Sequence, residues 1–167
     1  MTTTQNRILN HEEIQHKIQR IAYQIYETFI NEDEIIIAGI ADSGLAFAKK
    51  IAVVFQDISN IKVTLCEVNM NKKNPRGTIT ATLSEEEFKN KCIVLADDVL
   101  NSGETLIYGV AHFLNVPLKK FKTAVLVDRS HKRYPVKADF KGISLSTSIQ
   151  EHVNVVFKDN DDAVFLT

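Results

Sequence analysis

Ile14, Ile18, Ile21, Ala22, Ile25 and Phe29 recur at helical spacing, which predicts an amphipathic helix with one buried stripe. Asn10 can cap this helix, and Glu13 stands where a capping box wants a carboxylate. Ile35-Ile36-Ile37-Ala38-Gly39-Ile40 is a short β-branched run and predicts a buried strand. Leu45, Ala48, Ala52 and Phe55 mark a second helix after Gly44. Lys62 to Val68 alternates polar with apolar residues and reads as strand. Asn69 to Gly77 is rich in Asn, Lys, Pro and Gly, which favours turns and mobility. Thr78 to Leu83 is expected to return as an extended arm, and Ser84-Glu85-Glu86-Glu87 to form a turn or short helix start. Cys92 to Ala96 is a continuous apolar run, as in a central parallel strand. Leu106, Val110, Phe113 and Leu114 give the next helix, closed by Asn115 and Pro117. Thr123 to Val127 is another buried strand, Asp128 to Lys141 a charged loop, and Val153–Phe157 and Val164–Leu166 are late strands.

Strands alternate with helices, which predicts an α/β fold: a doubly wound, mostly parallel sheet flanked by helices. The 167 residues suit a single domain, 1–167, with no repeat or linker. The formal net charge of -1 offers no global field for nucleic acid or membrane. Met1 to Asn10 is polar and lacks the apolar core of a signal peptide, and no apolar run suits a bilayer span, so a cytoplasmic location is expected. Cys66 and Cys92 lie far apart inside apolar stretches and read as reduced core residues. Neither zinc spacing nor a His-x-x-x-His pair occurs.

Candidate chemistry concentrates in one segment. In open α/β sheets, ligands bind beyond the carboxyl ends of the strands. Asp97 and Asp98 are expected at such an end, directly after Cys92–Ala96. Asn101-Ser102-Gly103-Glu104-Thr105 then leads into a helix, whose first turn offers free N–H groups and a positive dipole end to a phosphate. Gly103 permits close backbone approach, and the Ser102 and Thr105 hydroxyls can donate to phosphate oxygens. The adjacent carboxylates suit vicinal hydroxyls. A phosphate cradle beside a diol acceptor describes a ribose 5-phosphate site. The segment is neither a Walker loop nor a nucleophile elbow.

The stretch Val94 to Leu106 resembles the signature of type I phosphoribosyltransferases: an apolar strand, two acids, two apolar residues, then a Thr/Ser-Gly-x-Thr phosphate loop. Leu126 to Gly142 and Ile143 to Val153 resemble the base-binding hood of one branch, the bifunctional pyrimidine-operon attenuation regulator and uracil phosphoribosyltransferase. Ile8 to Ile25 resembles that branch's first helix. The likeness covers most of the chain and is weakest from Asn69 to Asn90.

The resemblance implies roles. Asp97 and Asp98 would contact the ribose hydroxyls of phosphoribosyl pyrophosphate, and Asn101, Ser102, Gly103, Glu104 and Thr105 would hold its 5-phosphate. Ala41, Asp42, Ser43 and Gly44 would hold pyrophosphate. Lys72 and Arg76, on a mobile loop, would join Asp97 and Asp98 in catalysis by stabilising the leaving group. The nucleobase would sit under Asp128, Arg129 and Lys137, in a hood formed mainly by 128–153. Mg²⁺ would ride on the substrate, with no direct protein ligand expected unless Asp97 or Asp98 supplies one. A homodimer is implied. Arg129, Lys132, Arg133, Lys137 and Lys141, with Arg20, form a local basic cluster that an RNA partner would require.

Three departures from the pattern involve four positions. Asp42 and Ser43 stand where the pyrimidine branch usually carries Thr-Arg-Gly, and a carboxylate beside pyrophosphate is unfavourable unless Mg²⁺ intervenes. Glu104 replaces a frequent Arg or Lys. Asn101 stands where the hypoxanthine-guanine branch carries an acid, and a carboxamide cannot accept a proton as that acid does. Asn101 favours a pyrimidine, uracil, over a 6-oxopurine as the accepting base, whereas Asp42 and Ser43 bear on catalytic rate. They also define an alternative: a sensor of phosphoribosyl pyrophosphate or nucleotide with little or no turnover.

Overall fold

The computed structural model describes residues 5–167, so only the first part of the polar stretch Met1–Asn10 lies outside the described residues. Strand β1 (Asn6–Leu9) leads into α1 (His11–Thr28). The main body continues with β2 (Glu34–Ile40), α2 (Ser43–Ile58), β3 (Lys62–Asn69), β4 (Thr80–Ala81), α3 (Glu85–Phe88), β5 (Cys92–Leu100), α4 (Glu104–Phe113), β6 (Lys120–Asp128) and β7 (Phe140–Ser144). It ends in β8 (Val153–Val156) and β9 (Ala163–Leu166).

The capping box forms as the sequence predicts. Glu13 N donates to Asn10 Oδ1 at 2.8 Å, and Asn10 N donates to Glu13 Oε1 at 3.1 Å. Asn10→Ala is therefore expected to cost about 1 kcal/mol of stability. Urea unfolding of the variant measures it; an unchanged midpoint would mean that the box contributes nothing beyond what water supplies.

Six strands form one sheet in the order β4-β3-β2-β5-β6-β7. All its pairings are parallel except β3 with β4. Strand residues alternate between two cores. Ile35, Ile37, Val94, Ala96 and Leu126 face α1 and α2, while Ile36, Ala38, Ile40, Leu95 and Val125 pack with Leu106 and Phe113 of α4. Helices cover both faces, so the central strands are apolar throughout rather than alternating. Each fully buried Ile on α1 contributes roughly 1.5–3 kcal/mol of transfer free energy.

The second sheet is antiparallel, in the order β1-β9-β8, and contributes Leu9, Val155 and Val164 to the core beneath α1 and α2. It forms the small layer beside the main sheet. The span 128–153 supplies β7 to the main sheet and a loop, and reaches the small sheet at Val153, where β8 begins. Asp162 ties the small sheet down. Its fully buried carboxylate accepts from Gln15 Nε2 at 2.8 Å and Lys158 N at 3.0 Å, and pairs with Lys50 Nζ at 3.1 Å. Among the described residues, no helix is long and apolar enough to cross a membrane.

Candidate active site

The chain passes from β2 through α2 to β3 on one side, and later from β5 through α4 to β6 on the other. β2 and β5 are neighbours, with Ala38 beside Leu95 and Gly39 beside Ala96. The strand order reverses between them, which opens a crevice at their carboxyl ends. Two loops meet there: 41–44 after β2 and 101–103 after β5.

The contact is close. A Cβ on Gly44 would lie 2.7 Å from Asp97 Oδ1 and 3.1 Å from the Ala96 carbonyl, so only glycine lets the first loop lie against the acid. Ala41 N donates to the Val68 carbonyl at 2.9 Å and fixes the loop's other side to β3. The Ala41–Asp42 peptide is cis. Asp42 is exposed, and Ser43 opens α2.

Asp97 and Asp98 do not follow the strand, as the apolar run ending at Ala96 suggested. β5 continues to Leu100, because Asp97 still pairs with Val125 and Leu100 with Asp128 on β6. Asp97 is therefore only 3 % exposed. Burial pushes its carboxyl up to about 7, the neighbouring Asp98 adds to the rise, and Lys72 opposes it. The 70–77 loop folds back so that Lys72 Nζ sits 3.0 Å from Asp97 Oδ1 and 3.7 Å from Asp98 Oδ1. Burial alone would lower the Lys72 pKa, yet Asp97 and Asp98, with Asp42 farther out, raise it above the usual lysine range. Arg76 is exposed on the same loop.

The second loop is held from outside. Arg133 N and Tyr134 N donate to the Ser102 carbonyl at 2.7 and 3.1 Å. Gly103 has φ of 89°, and a Cβ there would lie 2.7 Å from Val136 Cγ1, so both the left-handed backbone and the packing require glycine. Ser102 Oγ accepts from Glu104 N at 3.2 Å. The first turn of α4, with Thr105, borders a cavity of about 40 Å³ that also meets Asp97, Asn101 and Ser102. Helix-start amides around a small polar hollow favour a compact anion. A roomier cleft of about 340 Å³, lined by Glu34, Thr64, Glu87, Lys91 and Cys92, lies at the strands' amino-terminal ends, away from these loops. Its Glu34 and Lys91 are ion-paired to each other.

The three remaining predicted site residues are placed differently. The Asp128 carboxylate is buried at the end of β6, accepts from Ser130 N at 3.0 Å and lies 3.8 Å from Lys141 Nζ. Arg129 is buried, and its guanidinium donates to Asn101, Thr147, Ser148 and Glu151. Lys137 extends into solvent, 3.7 Å from Asp139, where Asp139 meets Thr123 low on β6. The expected basic cluster is divided accordingly. Arg129 is internal, Lys141 faces Asp128, and Arg20 donates to the Lys141 and Gly142 carbonyls, while Lys132 and Arg133 are exposed. Sequence reasoning missed the outside clamp on Ser102 and the burial of Arg129, since neither leaves a periodic signal. Among the described residues, no cluster of three or more His, Cys, Asp or Glu is disposed to hold a metal ion.

Comparison with known proteins adds to this geometry. The profile of the phosphoribosyl transferase domain matches residues 4–161. The bifunctional protein PyrR of Clostridium acetobutylicum is 31% identical over 168 residues, spanning 95% of this chain and 94% of that protein. Its counterpart from Pediococcus pentosaceus is 28% identical, spanning 95% of each. Among solved structures, a hypoxanthine-guanine phosphoribosyltransferase of Bacillus anthracis superposes with a TM-score of 0.74 at 20% identity, covering 89% of this chain and 84% of that one. The hypoxanthine phosphoribosyltransferase of Trypanosoma cruzi superposes with a TM-score of 0.75 at 16% identity, covering 95% of each chain. Identities this low establish a common fold and nothing finer.

Proposed function

This chain belongs to the phosphoribosyl transferase domain family, and on that premise we propose that it binds phosphoribosyl pyrophosphate and transfers ribose 5-phosphate to uracil. The observation that carries the reading is the meeting of the two loops at the β2–β5 crevice, where Gly44 abuts the Asp97 carboxylate beside the Ser102–Thr105 turn. The 5-phosphate takes the start of α4, with the Ser102 and Thr105 hydroxyls donating. Asp97 and Asp98 accept from the ribose hydroxyls. The 41–44 loop receives pyrophosphate.

In the reaction, the C1–O bond to pyrophosphate breaks and the electron pair leaves on oxygen. A bond forms from C1 to a ring nitrogen of the base, and the proton of that nitrogen passes to the departing pyrophosphate or to water. The protein's contribution is positioning, together with charge opposite the leaving group. Lys72 and Arg76 supply that charge once Lys72 leaves the acid pair. Bound Mg²⁺ would neutralise pyrophosphate. Asp97 and Asp98 fit it as an outer contact, since two adjacent carboxylates offer only part of an octahedral shell.

Uracil is favoured over a purine by Asn101. Its carboxamide oxygen accepts from Arg129 Nη1 at 3.0 Å, so this position offers no carboxylate to a purine nitrogen. The resemblance of Leu126–Gly142 to the pyrimidine branch supports the same base. An RNA partner draws support only from that resemblance and from the exposed Lys132 and Arg133.

The sensor reading is favoured by one observation: Lys72 already occupies the acid pair that the ribose must reach. Calorimetry with phosphoribosyl pyrophosphate and Mg²⁺, followed by pyrophosphate release with uracil, hypoxanthine, guanine and xanthine, separates the two. Binding with release on uracil alone is expected. Binding with silence towards every base would identify a sensor, and no binding at millimolar ligand would overturn the site itself.

A further inference from the structure

Arg129 is 8 % exposed, yet none of its partners is a carboxylate side chain. Nε and Nη2 donate to Thr147 Oγ1 at 3.0 and 2.9 Å. Nη2 also donates to the carbonyls of Ser148, at 3.2 Å, and Glu151, while Nη1 donates to Asn101 Oδ1 at 3.0 Å. The backbone N–H of Arg129 donates to the Leu100 carbonyl at 3.0 Å, so the residue is pinned to the end of β5. His131 Nε2 donates to the Thr147 carbonyl and braces the same segment. A guanidinium is suited to this task because its rigid fork reaches several acceptors at once.

A buried cation held only by neutral dipoles has lost its water without gaining an opposite charge. A phosphate on the Ser102–Thr105 turn would bring that charge next to Asn101, the residue through which Arg129 touches the loop. We propose that Arg129 is a positioning residue that couples phosphate occupancy of the 101–105 loop to the order of the 147–151 segment. The inference rests on the phosphate role assigned to that loop. A bound phosphate lowers the cost of burying the guanidinium and so strengthens its bonds to Thr147, Ser148 and Glu151. The segment it secures carries Ile149, which is 86 % exposed, so occupancy of the crevice is registered at the protein surface.

Hydrogen exchange read by mass spectrometry tests this, with ribose 5-phosphate as the probe. In the unmodified protein, the ligand should slow exchange at 101–106 and also, by about tenfold, at 147–152, a mid-range coupling. In Arg129→Lys, which keeps the charge and loses the fork, slowing at 101–106 should persist while the response at 147–152 disappears. Thr147→Val removes the shared hydroxyl acceptor from the far side and should break the same link, which keeps the test intact if Arg129→Lys fails to fold. Slowing at 101–106 without any change at 147–152 in the unmodified protein overturns the coupling and leaves the phosphate site standing. No slowing at 101–106 overturns the phosphate site and the coupling together. A coupling that survives in both variants shows that Arg129 is a structural tie alone.

Discussion

Asp97→Asn should raise the thermal midpoint relative to the unmodified protein at pH 8.5, with a smaller gain or a loss at pH 5, and should weaken binding of phosphoribosyl pyrophosphate by about tenfold to a hundredfold. The stability effect follows from a carboxyl whose pKa in the folded protein is raised from 3.8 to about 7, by burial first and Asp98 second. Between those values the folded chain holds a proton that the unfolded chain has released, so stability falls as pH rises. The contribution is fully present below about 3.8 and is lost as pH climbs through about 7. The slope approaches about 1.4 kcal/mol per pH unit at most, and coupling of Asp97 to its charged neighbours flattens it. An asparagine does not titrate, so the difference between variant and unmodified protein grows from pH 5 and levels off above neutrality. The binding loss reflects a charged acceptor, whose hydrogen bond contributes roughly 1.5–3 kcal/mol. Thermal melts across pH 5–8.5 and calorimetry at pH 8 read the two effects separately. A midpoint difference that stays flat with pH would show that Asp97 is ionised throughout.

Asp162→Ala should destabilise the protein by about 3 kcal/mol, the lower end of the range for removing one partner of a buried ion pair. The carboxylate is fully buried and has Gln15 of α1, Lys50 of α2 and the Lys158 backbone as partners. Its own N–H donates to His11 Nδ1 at 3.1 Å. Truncation leaves Gln15 Nε2 and Lys158 N without that acceptor, whereas Lys50, about one-third exposed, recovers part of its hydration. In a chain of 167 residues this corresponds to a fall in thermal midpoint of roughly 6–12 °C. Asp162→Asn, which keeps an acceptor but not the charge, should lose less. A fall below about 3 °C in Asp162→Ala would mean that the apolar contacts of Leu9, Val155 and Val164 hold the small sheet unaided.

The elements that periodicity predicts are those whose apolar residues repeat within one element. α1 with its capping box and the strands around Ile35–Ile40 and Cys92–Ala96 are of this kind. β1 and β7 were illegible for a physical reason. Asn6 and Arg7 are exposed, and Asn6–Leu9 becomes a strand only by pairing with Val164–Leu166, far away in sequence. Phe140–Ser144 is an edge strand beside β6, and the charged residues before it mask it. β5 was read too short because two carboxylates inside a strand look like its end. The acids and the Ser102–Thr105 turn were legible as a motif, since they adjoin in sequence. Lys72 was legible only as a basic loop residue, because its partner lies 25 residues away. The burial of Arg129 was not legible, because it depends on Asn101 and on 147–151, which are distant in sequence.

The antiparallel pairing of β1 with β9 also orders events in time. β2, β3, β5 and β6 pair with one another without help from β1 or β9, so the crevice between β2 and β5 can assemble before the small sheet closes. β1 has no partner in that sheet and must wait, unpaired, for Val164–Leu166. That pairing spans nearly the whole sequence and carries a loop-closure cost that the sheet's own strands have largely met already. The crevice should therefore form early in folding, and the layer that joins β1 to β9 should close only after that long-range pairing is made.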